Sequence, residues 1–209
     1  MEDILFPPFL TEGDKVVIVS PSSKIDKRFI KGAQSRLEAW GLQVTVSKYA
    51  DSSSGRYAGT IKQRLSDLQQ AMDDPDTKAI LCSRGGYGAV HLIDKLDFTA
   101  FRQHPKWLIG FSDITALHIL FGKLPVYSCE KNKLNRKGTA QGSLRGGNMA
   151  VAYGLRGTPY DIPAKGTILF IEDVNERPHA IERMMYNLKL GGVLENLSGL
   201  IVGQFTEYE

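Results

Sequence analysis

Hydrophobic and polar positions follow two patterns over the first 121 residues, and the two patterns alternate. Continuous apolar runs are typical of buried strands, and apolar residues spaced three or four apart are typical of helices. Predicted strands cover 15–20, 42–46, 78–82 and 107–111, and predicted helices cover 27–39, 60–72, 89–96 and 113–121. Four strand–helix alternations with short connections indicate a parallel sheet with helices on both faces. Ligands of such sheets bind at the carboxyl ends of the strands.

The pattern changes after residue 122. Residues 123–147 are polar and basic, show no period and contain four glycines. Two apolar strands follow at 167–171 and 200–202, with an amphipathic helix between them. We therefore expect an α/β domain at 1–122, a linker at 123–147 and a second, smaller α/β domain at 148–209.

Composition excludes several classes of protein. Of 209 residues, 42% are apolar, which excludes global disorder, and no apolar run approaches the roughly 20 residues of a membrane-spanning helix. The 26 basic and 23 acidic residues give a net charge of +3. Basic residues are scattered, and their densest cluster, at 131–137, lacks aromatic neighbours. We therefore expect neither nucleic acid nor a membrane as a partner.

Cysteine and histidine positions point to no metal or disulfide. Cys82 and Cys129 form neither a disulfide framework nor a metal-type spacing, so we expect a reducing, cytoplasmic location. The acidic N-terminus is unlike a secretory signal. No group of His, Cys, Asp and Glu has zinc spacing. None of the four histidines has the obvious position of a catalytic base: His91, His104, His118 and His179.

A glycine-rich segment follows the strand at 78–82. Gly85, Gly86 and Gly88 permit positive φ and close approach of another group, and N–H groups at a helix start attract an anion or an oxyanion. A tight structural turn is the alternative. A nucleotide-binding protein is a third interpretation, but the chain lacks the acidic ribose partner at the expected spacing.

Two polar residues at other strand ends are candidates for chemistry. Ser112, two residues after Gly110, resembles a nucleophile elbow, although Ile114 stands where the motif has glycine. The alternative is a helix N-cap, a common position for serine. Glu172 ends an apolar strand and could orient a histidine, as the acid of a catalytic triad does. Its alternative is a loop carboxylate in water.

These motifs together resemble the LD-carboxypeptidase family of serine peptidases, which includes the microcin C self-immunity proteins. The matching segments are collinear and lie at 13–23, 64–68, 84–88, 109–118, 146–148, 157–160 and 169–176. The resemblance implies a flavodoxin-like N-terminal domain, a Ser-His-Glu triad and a cytoplasmic homodimer without metal or cofactor. It also implies removal of the terminal D-alanine from peptidoglycan-derived tetrapeptides during recycling.

The resemblance also implies site residues. Ser112 would be the nucleophile and Glu172 the acidic member of the triad. The backbone N–H groups of Gly86 and Asp113 would form the oxyanion hole. Arg84, with Gly85 beside it, is a candidate to bind the terminal carboxylate of the substrate, since arginine binds carboxylates bidentately. The alternative for Arg84 is a structural contact with a loop carbonyl or an acid.

The sequence departs from the family in two places. The family's triad histidine lies beyond the glutamate, in a segment that this sequence does not have, and 121–142 is shorter than its counterpart. We expect that the complete protein has residues that this sequence omits, so that the C-terminal domain here is incomplete. The alternatives are a catalytically inactive member that binds muropeptides and a peptidase similar to the microcin self-immunity proteins.

Overall fold

A computed structural model describes residues 7–121 and 132–207, with only the backbone of Leu120 and Phe121. The chain divides into two compact units, Met1–Ile114 and Thr115–Glu209. Both units are α/β, and each contains one parallel sheet, which confirms the predicted fold class.

The first unit has a four-stranded parallel sheet in the order β2-β1-β3-β4. This is the order of the first four strands of a flavodoxin-like sheet. The strands are β1 (Lys15–Val19), β2 (Gln43–Val46), β3 (Thr77–Cys82) and β4 (Trp107–Ile109). The α-helices are α1 (Lys27–Glu38), α2 (Ile61–Asp73) and α3 (Thr99–Gln103), and short 3-10 helices cover Ala89–His91 and Ser112–Ile114.

Burial and helix caps explain the first unit. Residues 16–19 of β1 are buried, as a continuous apolar run predicts for an inner strand. Ile18 packs with Ile30 of α1 in one core cluster. The side chain of Asp26 caps α1, and Thr60 forms a capping box with Gln63 at the start of α2. The four predicted strands of this unit are confirmed.

The helix predicted at 89–96 is wrong. Only Ala89–His91 is helical, as one 3-10 turn, and turns follow. Leu92 and Ile93 are buried nevertheless, so their spacing reflects burial in a compact loop. Gly88, at φ +131°, begins this segment in a conformation that an α-helix does not use.

The second unit has a three-stranded parallel sheet in the order β5-β6-β7. Its strands are β5 (Ser143–Asn148), β6 (Thr167–Val174) and β7 (Gly199–Thr206). Its helices are α4 (Thr115–Phe121), α5 (Met149–Gly154), α6 (Pro178–Leu190) and α7 (Val193–Asn196). The two predicted strands of this region are confirmed as β6 and β7, and both are longer than predicted.

Strand β5 was not predicted, and its residues 143–147 lie in the stretch that the sequence indicates as a linker. It contains Gly146 because a Cβ there would collide with the carbonyl oxygen of Phe170 in β6. Glycine thus permits close contact between the two strands. It also interrupts the apolar run by which a buried strand is predicted from sequence. Residues 123–131 of the predicted linker, and Cys129, lie outside the described residues.

Cys82 is a buried free thiol, and burial raises its pKa to about 12, so it stays protonated at neutral pH.

Across the described ranges, no helix is both long enough and apolar enough to cross a lipid bilayer.

An ion pair at the start of β1 predicts a pH dependence of stability. Lys15 Nζ donates to Asp74 Oδ2 at 2.7 Å, and this hydrogen bond is the main cause that lowers the pKa of Asp74 to about 2. A lowered carboxyl pKa stabilises the fold above the unfolded-state pKa near 4, and that stability is lost as the pH falls towards 2. Because the pair is partly exposed, its contribution is about 1 kcal/mol.

We expect Asp74→Asn to lower the free energy of unfolding at pH 7 and to match the wild type near pH 2. Urea unfolding at pH 7, 4 and 2 measures this difference. Lys15→Met, which removes the other partner, should show the same trend. A deficit that stays constant between pH 7 and pH 2 would contradict the assignment.

Candidate active site

Ser112 lies at a strained turn, three residues after the end of β4. Its φ is +57°, a left-handed conformation that costs a residue other than glycine about 1–3 kcal/mol. It begins the 3-10 helix Ser112–Ile114, and the Ile114 N–H donates to the Phe111 carbonyl at 3.2 Å. A helix N-cap has extended backbone angles instead, so Ser112 does not have the N-cap conformation. A strained strand-to-helix turn is the geometry that the predicted nucleophile elbow requires. The hydroxyl-bearing residue is half-buried.

The glycine-rich segment contacts this turn. A Cβ on Gly85 would lie 2.8 Å from the Ser112 Cβ, 2.9 Å from the Phe111 carbonyl oxygen and 3.3 Å from the Ser112 Oγ. Only glycine therefore lets the backbone at 85 approach Ser112 this closely. The structure thus brings together two of the predicted motifs, Ser112 and the glycine-rich segment.

Ser23 holds the other side of the glycine-rich segment. Its N–H donates to the Gly85 carbonyl at 3.3 Å, and its Oγ accepts from the Tyr87 N–H at 3.1 Å. Gly86 has φ +105°, and a Cβ there would collide with Ser23. Among the described residues, neither the Gly86 N–H nor the Asp113 N–H donates a hydrogen bond. Unpaired N–H groups are one condition that the predicted oxyanion hole requires.

The Asp113 side chain has a structural role that the sequence did not indicate. Its carboxylate is buried, and Oδ2 accepts from the Ser22 hydroxyl at 2.6 Å and from the Ala89 N–H at 2.8 Å. The carboxylate of Asp113, the residue after Ser112, thus binds both the loop after β1 and the 3-10 helix after β3. The predicted role of Asp113 concerns its backbone N–H, and the side-chain bonds do not use that group.

Buried Arg64 joins the same two loops. Its Nη1 donates to the Pro21 carbonyl at 2.6 Å and to the Gly88 carbonyl at 2.8 Å. Its Nη2 donates to His91 Nδ1 at 3.4 Å, and its guanidinium lies over the Tyr57 ring. Burial lowers the pKa of this guanidinium. The sequence held a signal for the role of Arg64, because this charged residue lies among the apolar positions of α2. In the structure Arg64 is only 2% exposed.

Arg84 is exposed, and its Nη1 donates to the Lys24 carbonyl at 3.1 Å. The structural contact with a loop carbonyl, which was the alternative for this residue, is therefore present. Arginine has five N–H donors, so this single bond leaves others able to bind a carboxylate.

Glu172 belongs to the second unit and lies in the central strand β6. It pairs with Asn148 of β5, while the pairing of β6 with β7 shifts register between Ile171 and Asp173. Such a bulge redirects a side chain and is common next to active sites. Burial, and then the charge of Asp173, raises the pKa of the half-buried Glu172 carboxyl. Within the described part of the chain, this carboxylate has no hydrogen-bond or ion-pair partner.

Asp173 fixes the backbone beside Glu172. Its buried carboxylate accepts from Asn148 Nδ2 at 2.7 Å and from the Ala150 N–H at 2.8 Å. Asn148 Oδ1 in turn caps α5 by accepting from the Val151 N–H at 3.1 Å. The sequence marked 146–148 only as a family segment, and the structure gives Asn148 this positioning role.

The described residues contain no group of three or more His, Cys, Asp or Glu side chains able to hold a metal ion. Of the histidines, His91 is a partner of Arg64 and contacts the rings of Tyr57 and Tyr87 edge-on.

Comparison with known proteins gives two family matches. The family model described as "LD-carboxypeptidase N-terminal domain" matches residues 16–128, and the model described as "LD-carboxypeptidase C-terminal domain" matches residues 141–209. A Bacillus subtilis (strain 168) protein named "Probable murein peptide carboxypeptidase" is 33% identical over 237 residues, covering 95% of this chain and 74% of the relative. That aligned region is longer than the 209 residues here, so the relative has residues within it that this chain lacks.

Solved structures share the fold. The crystal structure of muramoyltetrapeptide carboxypeptidase from Oxalobacter formigenes has a TM-score of 0.81 and 26% identity, over 93% of this chain and 78% of that chain. The microcin C7 self-immunity protein MccF in complex with aspartyl sulfamoyl adenosine has a TM-score of 0.80 and 24% identity, over 96% and 80%. The second likeness shows the fold alone. Together with the two domain matches, these findings show that the chain belongs to the LD-carboxypeptidase family.

Proposed function

We propose that this protein is a serine carboxypeptidase that hydrolyses the L,D-peptide bond to the terminal D-alanine of muropeptide tetrapeptides. Its family and the names of its relatives support a carboxypeptidase that acts on murein peptides. The observation that carries the serine mechanism is Ser112, held at φ +57° against Gly85 at a strand-to-helix turn. Backbone strain clusters at active sites, and a strained serine at a strand-to-helix turn is the arrangement of a nucleophile elbow.

The proposed reaction has two steps. Ser112 Oγ attacks the carbonyl carbon and gives its proton to a histidine, which passes it to the departing amine of D-alanine as the C–N bond breaks. Water then hydrolyses the acyl-enzyme ester, and the carboxylic acid product leaves. The free N–H groups of Gly86 and Asp113 would stabilise the oxyanion, each by about 2.7–4 kcal/mol. Arg84 would bind the terminal carboxylate.

Glu172 would orient the histidine and stabilise its charged form. We assign that histidine to none of the four in this sequence. The reaction needs no metal or cofactor. By the same resemblance, we propose a cytoplasmic homodimer that acts in peptidoglycan recycling.

A second candidate is a peptidase of the microcin self-immunity type, because the MccF structures share this fold. Incubation with an aminoacyl sulfamoyl adenosine and with a muropeptide tetrapeptide separates the two. Release of the amino acid from the nucleoside, without release of D-alanine, would favour the second candidate. Tetrapeptide binding by calorimetry without cleavage of either compound would favour an inactive binding protein.

Ser112→Ala is the direct test of the nucleophile. We expect release of D-alanine from the tetrapeptide to fall by at least 10³-fold, because the acyl-enzyme cannot form, while tetrapeptide binding persists. Chromatography of released D-alanine measures the rate, and calorimetry measures binding. Release at the wild-type rate in this variant would refute the assignment.

Gly85→Ala tests the contact that positions the nucleophile. The new Cβ would lie 2.8 Å from the Ser112 Cβ, so Ser112 must move. We expect D-alanine release to fall at least tenfold, since small displacements of a nucleophile are costly. Gly32→Ala in α1 is the matched control, because a Cβ there meets nothing within 4 Å and should stabilise the helix by about 0.5–1 kcal/mol. Equal activity in the two variants would contradict the positioning role.

Glu172→Gln separates function from stability. The raised pKa of Glu172 means that ionisation is unfavourable in the fold, so wild-type stability falls as the pH rises from about 4.5 through that pKa. We expect the variant to be more stable than the wild type at pH 7, and we expect this difference to be smaller at pH 4. We also expect it to release D-alanine far more slowly than the wild type. Urea unfolding at both pH values measures this.

Asp173→Asn is the control for Glu172→Gln. Asp173 accepts three hydrogen bonds in the fold, so its variant should be less stable than the wild type at pH 7. An unfolding free energy of Glu172→Gln that falls below the wild-type value at pH 7 would argue against a desolvated functional carboxylate.

A further inference from the structure

Three exposed basic residues of the first unit adjoin one stretch of backbone. The Lys24 carbonyl accepts from Arg84 Nη1 at 3.1 Å, and the Lys24 N–H donates to the Arg56 carbonyl at 3.0 Å. We call Lys24, Arg56 and Arg84 the basic surface. These residues are far apart in sequence, so only the fold gathers them.

None of the three forms an ion pair with a carboxylate in the described ranges. Arg28, on the same unit, differs, because its guanidinium donates to the Asp26 carboxylate at 2.7 Å. No carboxylate in the described ranges therefore pairs with the three cations of the basic surface, so these cations remain able to bind an anion.

The ring of Tyr87 gives Arg56 a defined position. The Arg56 guanidinium carbon lies over that ring at 5.6 Å from its centre, and Tyr87 is itself held by its N–H bond to Ser23 Oγ. A cation on an aromatic face gains about 0.5–1 kcal/mol at an exposed site. Stacking uses the flat face of the guanidinium and leaves its N–H groups available for a carboxylate.

The basic surface is next to the candidate nucleophile. Tyr87 follows Gly86 in sequence, and Gly85 contacts Ser112. Ser23, which bonds to both Gly85 and Tyr87, directly precedes Lys24. The basic surface therefore adjoins the glycine-rich segment that contacts the candidate nucleophile, within the same unit.

We propose that Arg56, assisted by Lys24, binds a carboxylate in the acyl part of the substrate, separate from the terminal carboxylate assigned to Arg84. This inference rests on the proposed function and deepens it, because it names a residue outside the predicted site that would recognise the acyl part of the tetrapeptide. Arg56 is then a specificity-determining residue. Its guanidinium would bind the carboxylate bidentately, a geometry that lysine does not reproduce.

The test compares two L,D-tetrapeptides that both end in D-alanine with a free carboxylate. One keeps its acyl-side carboxylates, and the other carries carboxamides in their place. We expect the wild type to prefer the acidic peptide at least tenfold in kcat/KM. Arg56→Gln should raise KM for the acidic peptide about tenfold, leave kcat unchanged, and leave both constants unchanged for the amidated peptide. Arg56→Lys should restore only part of the preference.

Arg28→Gln is the matched control, since it removes an exposed arginine that is already paired with Asp26, and it should keep the wild-type preference. Equal kcat/KM for the two peptides in the wild type would overturn the proposal. So would an Arg56→Gln variant that loses the same factor on both peptides.

Failure of the proposed function gives a different result. If the wild type cleaves neither peptide, calorimetry with the same two peptides still tests Arg56. Binding of the acidic peptide that weakens about tenfold in Arg56→Gln, with unchanged binding of the amidated one, supports the carboxylate site. Equal binding of both peptides by wild type and variant refutes it.

Discussion

The buried carboxylate of Asp113 is the interaction on which the first unit's site depends. It accepts from the Ser22 hydroxyl and from the Ala89 N–H, and it follows Ser112 directly in the chain. A buried carboxylate is stable only when it is hydrogen-bonded, so these bonds fix both loops relative to the turn. Buried Arg64 binds carbonyls of the same two loops, and the charge of Asp113 favours its charged form. Removing either side chain would leave buried partners without a hydrogen bond, which costs about 1–3 kcal/mol for each group left unpaired.

The second unit repeats this arrangement. Glu172, like Ser112, is followed by a buried aspartate, and Asp173 accepts from one side chain and from the Ala150 N–H near the start of α5. In each unit, a structural carboxylate fixes the backbone next to the residue to which we assign chemistry. A functional side chain can then remain without a partner, because its neighbour makes the bonds that hold the loop.

The candidate residues themselves are unfavourable for stability. Ser112 has a left-handed backbone, Glu172 is desolvated beside another acid, and the basic surface forms no ion pair among the described residues. Folded proteins tolerate such features where substrate or the transition state uses them, and the surrounding bonds offset their cost. Their concentration around the glycine-rich segment and the bulge in β6 is the physical basis for locating function there.

Much of the fold could be predicted from the sequence, because a buried parallel strand needs a continuous apolar run, as β1 and β3 have. Local glycine and serine patterns likewise indicated the turns at 84–88 and 112. Two sequence predictions failed because apolar spacing reports burial and not backbone geometry. Leu92 and Ile93 are buried without forming a helix, and β5 was not predicted because it depends on glycine.

Only the tertiary structure decided the bonds of Asp113 and Arg64 and the gathering of the basic surface, since each joins residues distant in sequence. Periodicity along a chain records which face is buried, whereas hydrogen bonds between distant loops depend on how the strands are ordered in the sheet.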